Sequence, residues 1–185
     1  MNTLIITGGT GVLGSVVVPR LEREYRCVLL RRDDDPAAVI GKASPVYGLV
    51  HLAGGFAMGA VADSDEAAWT NMLAANLMTF VNAARAAIPH LQPGGRIVAI
   101  SSRATLETPP GMAAYVASKT ALNVTIEVLA KELRASKVTV NALLPNTLKE
   151  GTTPGVPLEN VAEAIAYLLS AAAANITGAL IPMNA

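Results

Sequence analysis

A tyrosine and a lysine four residues apart, Tyr115 and Lys119, are the side chains of this sequence best suited to acid–base chemistry. They begin an apolar-periodic segment that predicts a helix over residues 113–134, and residues four apart lie on the same helical face. An ammonium about 5 Å from a phenol, at an effective dielectric constant of about 20, favours the phenolate by roughly 3 kcal/mol, or about two pKa units. The pair would then act as a general acid and base near neutral pH. The alternative is an ordinary surface tyrosine beside a surface lysine.

A glycine-rich turn near the N-terminus is the second chemical signal. The β-branched run Thr3–Thr7 predicts a buried strand, and residues 15–24 carry helical spacing. A strand, a glycine turn and a helix in this order can bind a pyrophosphate, because glycines allow close backbone approach and the helix N-terminus offers free N–H groups. A purely structural turn is the alternative. The predicted cofactor residues here are Gly8, Thr10, Gly11, Val12, Leu13 and Gly14.

Two arginines follow the second predicted strand, Arg26–Leu30. An acidic residue at this position usually holds the ribose hydroxyls of NAD, whereas an arginine accommodates the 2′-phosphate of NADP. Arg31 and Arg32 therefore favour NADP(H), with NAD(H) as the less favoured cofactor. The three aspartates at 33–35 leave a second interpretation open, in which the segment is a solvated turn of mixed charge.

The remaining chain alternates predicted strands and helices. We expect residues 36–45 to form at most two helical turns, and the long helix to begin at an N-cap at Asp63 or Ser64. Further strands are predicted at residues 46–53, 96–100, 137–144 and 179–183, and further helices at 63–92, 113–134 and 158–173. This order predicts an α/β fold, a single Rossmann-like domain over residues 1–185 with a doubly wound parallel sheet of about six strands and helices on both faces.

Composition agrees with a buried sheet and excludes several function classes. Hydrophobic residues make up 52% of the chain and aromatic residues only 4%, as expected for Ala-rich helices around a Val- and Ile-rich parallel sheet. A net charge of zero argues against nucleic acid, and no apolar run is long enough for a membrane span. The uncharged start is not that of a signal peptide, and the single Cys27 suggests a reducing cytoplasm. No metal site is predicted.

The motifs, taken in order, resemble the short-chain dehydrogenase/reductase family along essentially the whole chain. Ser102 lies thirteen residues before Tyr115, as in the family, and Tyr115 and Lys119 match its Tyr-x-x-x-Lys. Asn76 matches the family's mid-helix asparagine. The resemblance implies hydride transfer between NAD(P)H and a carbonyl or alcohol, with Tyr115 as proton donor and Ser102 stabilising the alkoxide. Lys119 would hold the ribose and lower the pKa of Tyr115, while Asn76 would position a relay water.

The resemblance also extends the cofactor site. The HLAGG sequence at residues 51–55 stands where the family has Asn-Asn-Ala-Gly, and the strand over residues 140–145 resembles the one before its nicotinamide loop. It implies cofactor contacts from Ala53, Gly54, Gly55, Tyr115, Lys119, Pro145, Thr147 and Leu148. It further implies a homodimer or homotetramer paired through the helices at 63–92 and 113–134.

Several positions depart from the family pattern. His51 and Leu52 replace the two asparagines, and we expect His51 to be packed or to lie on the adenine side. Residues 32–46 are too few for the usual helix and strand, so one sheet edge should be trimmed. Glu150 replaces an expected threonine, for which Thr147 or Thr152 could substitute.

The stretch between Leu148 and Leu158 leaves almost no substrate lid, so the pocket should be open on one side. Three phrases, LAGGFAMG, ETPPGMAAY and LLPNTL, also resemble the dihydropteridine reductase branch, although Ser102 argues against a close match. A pterin or quinone reductase therefore remains an alternative. So does a non-catalytic NADP(H)-binding sensor or partner subunit, although such a protein has no need of Ser102.

Overall fold

A computed structural model describes residues 1–149, 152 and 154–184 of the chain. Its centre is a sheet of six strands in the order β2-β1-β3-β4-β5-β6, and every neighbouring pair is parallel. The strands are β1 (Thr3–Thr7), β2 (Arg26–Leu30), β3 (Val46–His51), β4 (Leu91–Ile100), β5 (Thr139–Pro145) and β6 (Leu180–Met183). The predicted fold class is confirmed.

Helices cover both faces of the sheet. They are α1 (Val12–Leu21), α2 (Pro36–Ala43), α3 (Glu66–Leu73), α4 (Thr79–Ala87), α5 (Ala104–Glu107), α6 (Ala113–Glu132) and α7 (Leu158–Leu169). Because side chains alternate along a strand, Ile5 of β1 packs in the core shared with α2, α4 and α6, whereas Leu4 and Ile6 pack in the core shared with α1 and α7. Burial on both faces explains why the strands are almost continuously apolar.

The chain crosses from one side of β1 to the other between β2 and β3, which creates a crevice at the carboxyl ends of β1 and β3. Such a switch point is where open α/β sheets bind ligands. Beyond β2 there is no further strand among the described residues, so β2 is an edge strand and the predicted trimming of this edge is confirmed. Only α2 fits into the short connection, and the Asp35 side chain caps it by accepting from Ala37 N at 3.0 Å.

The predicted helix over residues 63–92 is interrupted. A π-helical turn, Ala74–Met78, separates α3 from α4, and a 3₁₀ turn, Ile88–His90, ends the segment. The N-cap is Asp65, which accepts from Ala68 N at 2.8 Å, so the predicted cap at Asp63 or Ser64 is wrong. The hydroxyl of Ser64 instead accepts from the indole of Trp69.

The stretch between β5 and α7 forms a short loop closed by its own backbone. Val156 N donates to Thr147 O at 2.8 Å and Lys149 N donates to Val156 O at 2.9 Å, while the Val156 side chain is buried. Glu150, which replaces the expected threonine, lies outside the described residues. No helix among the described residues has the length and apolarity that a membrane crossing requires.

Candidate active site

The glycine-rich turn after β1 depends on glycine for steric reasons. Gly8 has φ +69°, and a Cβ there would lie 2.5 Å from Ala53 N. A Cβ on Gly14 would lie 2.5 Å from the backbone of Gly9. The turn after β1 therefore presses against the turn after β3, and Gly11 directly precedes the first turn of α1, where free N–H groups remain for an anion.

A cleft of about 810 Å³ opens at this switch point. Of the residues predicted for the cofactor, its walls contain Gly8, Thr10, Gly11, Arg31, Arg32, Ala53 and Gly54. Val12, Leu13, Gly14, Gly55, Tyr115, Lys119, Pro145, Thr147 and Leu148 lie outside its lining. Gly9, which the sequence interpretation passed over, lines it as well, and a Cβ there would meet the Leu29 side chain at 2.6 Å. The cleft therefore lies at the switch point where open α/β sheets bind ligands, and it includes seven of the residues predicted to contact the cofactor.

Two of the three aspartates beside the two arginines accept bonds from backbone groups, while Asp33 is exposed and lines the cleft. Asp34 Oδ2 accepts from Arg31 N at 2.7 Å, and Asp35 caps α2. Within residues 1–149, neither the Arg31 nor the Arg32 guanidinium forms an ion pair. Both arginines are exposed and line the cleft, so their charges face the space where a ribose phosphate would lie.

Lys119 is buried at the carboxyl end of β4. Its side chain is only 4% exposed, and Nζ donates to Ile100 O at 2.9 Å. Burial lowers the pKa of Lys119 to about 8. A Cβ on Gly54 would lie 3.1 Å from Lys119 Nζ and 2.8 Å from Asn76 Oδ1, so the glycine turn after β3 lies directly against both side chains.

The phenol of Tyr115 behaves differently from the expectation based on spacing. Burial raises its pKa above the usual value, and the nearby Ser102 hydroxyl acts in the opposite direction. The predicted lowering by Lys119 is not found in the structure. The physical reason is that desolvation disfavours the phenolate while the Lys119 ammonium is directed at the Ile100 carbonyl. The phenol is therefore protonated at neutral pH and suited to donate a proton.

Ser102 follows β4 and is held by the short helix after it. Its Oγ accepts from Ala104 N at 3.2 Å, and its carbonyl accepts from Thr105 Oγ1 at 2.8 Å. Asn123 Nδ2, one turn beyond Lys119 on α6, donates to Thr105 Oγ1 at 3.0 Å. The chain segment that carries Ser102 is thus tied to the helix that carries Tyr115 and Lys119.

Asn76 is fully buried in the π-helical turn, a feature that often marks functional positions. Its Oδ1 accepts from Gly55 N at 2.9 Å, and its Nδ2 donates to Gly55 O at 3.0 Å and to Ser118 Oγ at 3.0 Å. Ser118 Oγ in turn donates to Tyr115 O at 2.7 Å. Both amide hydrogens of Asn76 therefore have protein partners. Ser118, which no local pattern singled out, joins the asparagine to the tyrosine.

His51 is packed in the interior, which is the first of the two predictions made for it. It is fully buried, and its ring meets Phe80 edge-on at 5.3 Å. Thr79 Oγ1 donates its hydrogen to Ala75 O at 2.7 Å, so it can only accept from His51 Nε2, at 3.5 Å. Nδ1 is then the acceptor for the hydroxyl of Thr7 at 2.7 Å. Burial, together with the Lys119 charge, lowers the pKa of His51 to about 3, so the ring is neutral.

Comparison with known proteins places these features in a family. The model of the short chain dehydrogenase family matches residues 37–156. The parallel sheet, with a crevice at its switch point and helices on both faces, defines the class of Rossmann-like α/β proteins. Within that class, the chain belongs to the short-chain dehydrogenase/reductase family.

Individual relatives agree with this assignment. The chain is 35% identical over 159 residues to 2-(S)-hydroxypropyl-CoM dehydrogenase 3 of Xanthobacter autotrophicus, covering 71% of this chain and 62% of that protein. It is 31% identical over 110 residues to an NADPH-dependent aldehyde reductase-like protein of Arabidopsis thaliana, covering 49% of this chain and 41% of that protein. A crystal structure of a short chain dehydrogenase/reductase family oxidoreductase from Burkholderia thailandensis superposes with a TM-score of 0.88 at 26% identity, covering 98% and 90% of the two chains. The chain thus spans less than two thirds of the length of the Xanthobacter dehydrogenase and of the Arabidopsis protein.

Proposed function

We propose that the protein is an oxidoreductase that uses NADPH to reduce a carbonyl substrate to an alcohol. The observation that carries this proposal is the junction of Tyr115, Ser102 and Lys119 at the carboxyl end of β4, beside the dinucleotide crevice. The buried lysine needs a functional reason, since burial lowers its pKa to about 8 without a carboxylate among its hydrogen-bond partners.

The proposed chemistry assigns each side chain one task. The bound cofactor supplies the hydride to the carbonyl carbon. Tyr115 gives its phenolic proton to the carbonyl oxygen, and the Ser102 hydroxyl stabilises the charge that develops there. Lys119 would place a positive charge near the Tyr115 phenol and would hold the ribose of the cofactor. The products are the alcohol and the oxidised cofactor, and the Tyr115 proton is replaced from solvent.

Asn76 has a supporting task in this scheme. Its amide hydrogens are engaged by Gly55 and Ser118, so the asparagine positions the glycine turn and the tyrosine backbone through these bonds. The relay water expected from the family resemblance would have to bind at the remaining lone pair of Oδ1 or at the backbone. Asn76 is therefore assigned as a positioning residue.

The residues fit NADP(H) better than NAD(H). The residue after β2 is Arg31, where a carboxylate would repel a 2′-phosphate. The neighbouring carboxylates of Asp34 and Asp35 accept from backbone N–H groups, which leaves the two guanidinium groups available for charge-assisted bonds. The Arabidopsis relative is described as NADPH-dependent, which supports the same choice.

The direct test is a screen for NADPH oxidation with aldehydes, ketones, quinones and quinonoid pterins. Turnover that disappears in Tyr115→Phe, with NADPH affinity retained, would support the proposal. Tight NADPH binding without turnover of any substrate would instead favour the non-catalytic alternative, to which the trimmed sheet edge and the short Thr147–Val156 loop lend weight.

We also propose a homodimer or homotetramer paired through α3 and α6, which pack against each other. Four apolar side chains on this pair and the adjoining π-helical turn are substantially exposed: Leu73, Met78, Val124 and Val128. Covering them with a second copy would remove apolar surface from water. We also propose a cytoplasmic location, because a single cysteine, Cys27, suits a reducing compartment.

A further inference from the structure

A short apolar segment between β3 and α3 borders the catalytic tyrosine. This segment, residues 55–59, is here named the apolar strap, and its sequence is Gly-Phe-Ala-Met-Gly. The ring of Phe56 meets the ring of Tyr115 at a centroid distance of 5.0 Å and an interplanar angle of 78°. Phe56 is nevertheless 59% exposed and Met58 67% exposed. Two large apolar side chains therefore remain in contact with water beside the proton donor.

The strap is held at both ends. At Gly55, both backbone polar groups are bonded to the buried Asn76 amide. At Gly59, the backbone N–H donates to Gly111 O at 2.7 Å, in the loop that leads into Tyr115. Both anchors hold the backbone of the strap. The position of the Phe56 backbone relative to Tyr115 is therefore set independently of the Phe56 side chain.

The strap itself carries no charge that could recognise an ionic substrate. Residues 52–62 contain no charged side chain. On α5, directly after Ser102, Arg103 is paired with Glu107 at 2.6 Å, and the adjacent Leu106 is 59% exposed. Recognition at this wall therefore has to come from contact with apolar and aromatic surface.

We infer that Phe56 determines substrate specificity and that the substrates are aryl aldehydes and aryl ketones, neutral molecules whose carbonyl is attached to an aromatic ring. The inference rests on the proposed carbonyl reduction. With the carbonyl oxygen at the Tyr115 hydroxyl, the aromatic ring of the substrate lies against the exposed part of Phe56. Aromatic pairs in offset or edge-to-face geometry interact more strongly than their buried area alone would give.

The test compares benzaldehyde, cyclohexanecarbaldehyde and propanal in the wild type, Phe56→Ala and Phe56→Leu. We expect Phe56→Ala to lower kcat/KM for benzaldehyde about tenfold, mainly through KM, and to change the value for propanal less than about twofold. Phe56→Leu should restore cyclohexanecarbaldehyde more than benzaldehyde. Val61→Ala, at an exposed position outside the strap, is the matched control. Equal losses for all three aldehydes, or no loss, would overturn the inference.

A second measurement separates this inference from the proposed function. Binding of acetophenone and of acetone is measured by isothermal titration calorimetry in the wild type and in Phe56→Ala, each loaded with NADP⁺, which cannot reduce either ketone. Preferential binding of acetophenone that depends on Phe56, in a wild type that reduces no carbonyl, would refute the reductase and keep the aryl site. Reduction of carbonyls with no preference for acetophenone in binding would keep the reductase and refute the aryl site.

Discussion

The side-chain amide of Asn76 bonds both backbone polar groups of Gly55, accepting from its N–H at 2.9 Å and donating to its carbonyl at 3.0 Å. One buried side chain thereby replaces the strand partner that the chain loses when it leaves β3. The same amide reaches Ser118, and through it the backbone of Tyr115. The glycine turn after β3 and the helix that carries Tyr115 consequently share one anchor.

Replacing this anchor should damage stability and turnover together. Asn76→Ala leaves the Gly55 N–H and carbonyl without their partner, which we expect to destabilise the fold by about 1–3 kcal/mol. Because the turn and the Tyr115 backbone both shift, kcat should fall as well. Urea denaturation and steady-state kinetics measure the two effects. Thr70→Ala, at an exposed position of α3, is the control and should stay within about 0.5 kcal/mol of the wild type. A fully stable and active Asn76→Ala protein would contradict the anchoring role.

The direction of the Tyr115 pKa shift makes the two reaction directions respond oppositely to pH. Burial raises the pKa, so the phenol is protonated at neutral pH and carbonyl reduction should be flat between about pH 6 and about pH 7. It should then fall around pH 8, because Lys119, with a pKa of about 8, loses its charge. Alcohol oxidation needs the phenolate and should rise over the alkaline range. Initial rates in both directions against pH check this.

Tyr115→Phe should reduce kcat by about a thousandfold or more in both directions. Ser102→Ala should lose less, since it removes only one hydrogen bond to the developing charge. Tyr167→Phe, at a half-exposed position of α7, controls for the loss of a phenol. Near-normal kcat in Tyr115→Phe would show that another group donates the proton.

Cofactor preference should reverse with the charge at residue 31. If each charge-assisted contact to a 2′-phosphate contributes about 1.5–3 kcal/mol, the wild type should bind NADPH about tenfold to a hundredfold more tightly than NADH. Arg31→Asp should remove or invert this ratio. Arg26→Asp makes the same charge change at the other end of β2 and should leave the ratio unchanged. Fluorescence titrations of the three proteins with both cofactors give the six dissociation constants. An Arg31→Asp protein that keeps the NADPH preference would refute this assignment.

His51 should make the protein sensitive to acid. Its folded pKa is about 3, below the usual 6.5, so the unfolded state takes up the proton first as the pH falls. Stability is therefore complete above about pH 6.5 and is lost towards pH 3, by about 3 kcal/mol between pH 7 and pH 4. His51→Asn lacks this term, so the difference in unfolding free energy between variant and wild type should move in favour of the variant on acidification. His90→Asn is the control, and parallel curves for the wild type and His51→Asn would disprove the assignment.

Assembly can be tested on the exposed face of α6. Val124 and Val128 lie four residues apart, at 53% and 46% exposure. Val124→Glu combined with Val128→Glu should convert a dimer or tetramer into monomers, because like charges would be buried in the interface without partners. Light scattering at micromolar concentration measures this, with Tyr167→Glu on the opposite face of the sheet as control. A monomeric wild type would rule out the proposed pairing.

Local sequence pattern was sufficient for the sheet and for the glycine turns. Strands such as Thr3–Thr7 are read directly from β-branched runs, and Gly8 follows from the order of strand, turn and helix. The position of Asn76 was found only by family resemblance. Its burial, its π-helical turn and its bonds to Gly55 depend on contacts across the fold.

The electrostatics of the site were harder to predict from the sequence than the residues that form it. The four-residue spacing of Tyr115 and Lys119 correctly places them on one helix, but it predicts the wrong direction for the Tyr115 pKa. That direction depends on the burial of the phenol and on the carbonyl to which Lys119 Nζ points, neither of which is a local property. The contact between Phe56 and Tyr115 was missed for the same reason, since the two residues are far apart in the chain.

Because β2 lies at the edge of the sheet, we expect cofactor binding to be linked to local opening of this part of the fold. Among the described residues β2 pairs only with β1, and its carboxyl end leads into Arg31 and Asp34 on the wall of the cleft. Each transient opening of this edge dismantles the adenosine side of the site, so the cofactor binds only the closed form and suppresses opening by mass action. Amide protons of residues 27–30 should accordingly exchange with solvent faster than those of the central strand β3, and a saturating nucleotide should slow them most. The bound nucleotide would then stabilise this edge strand against local opening.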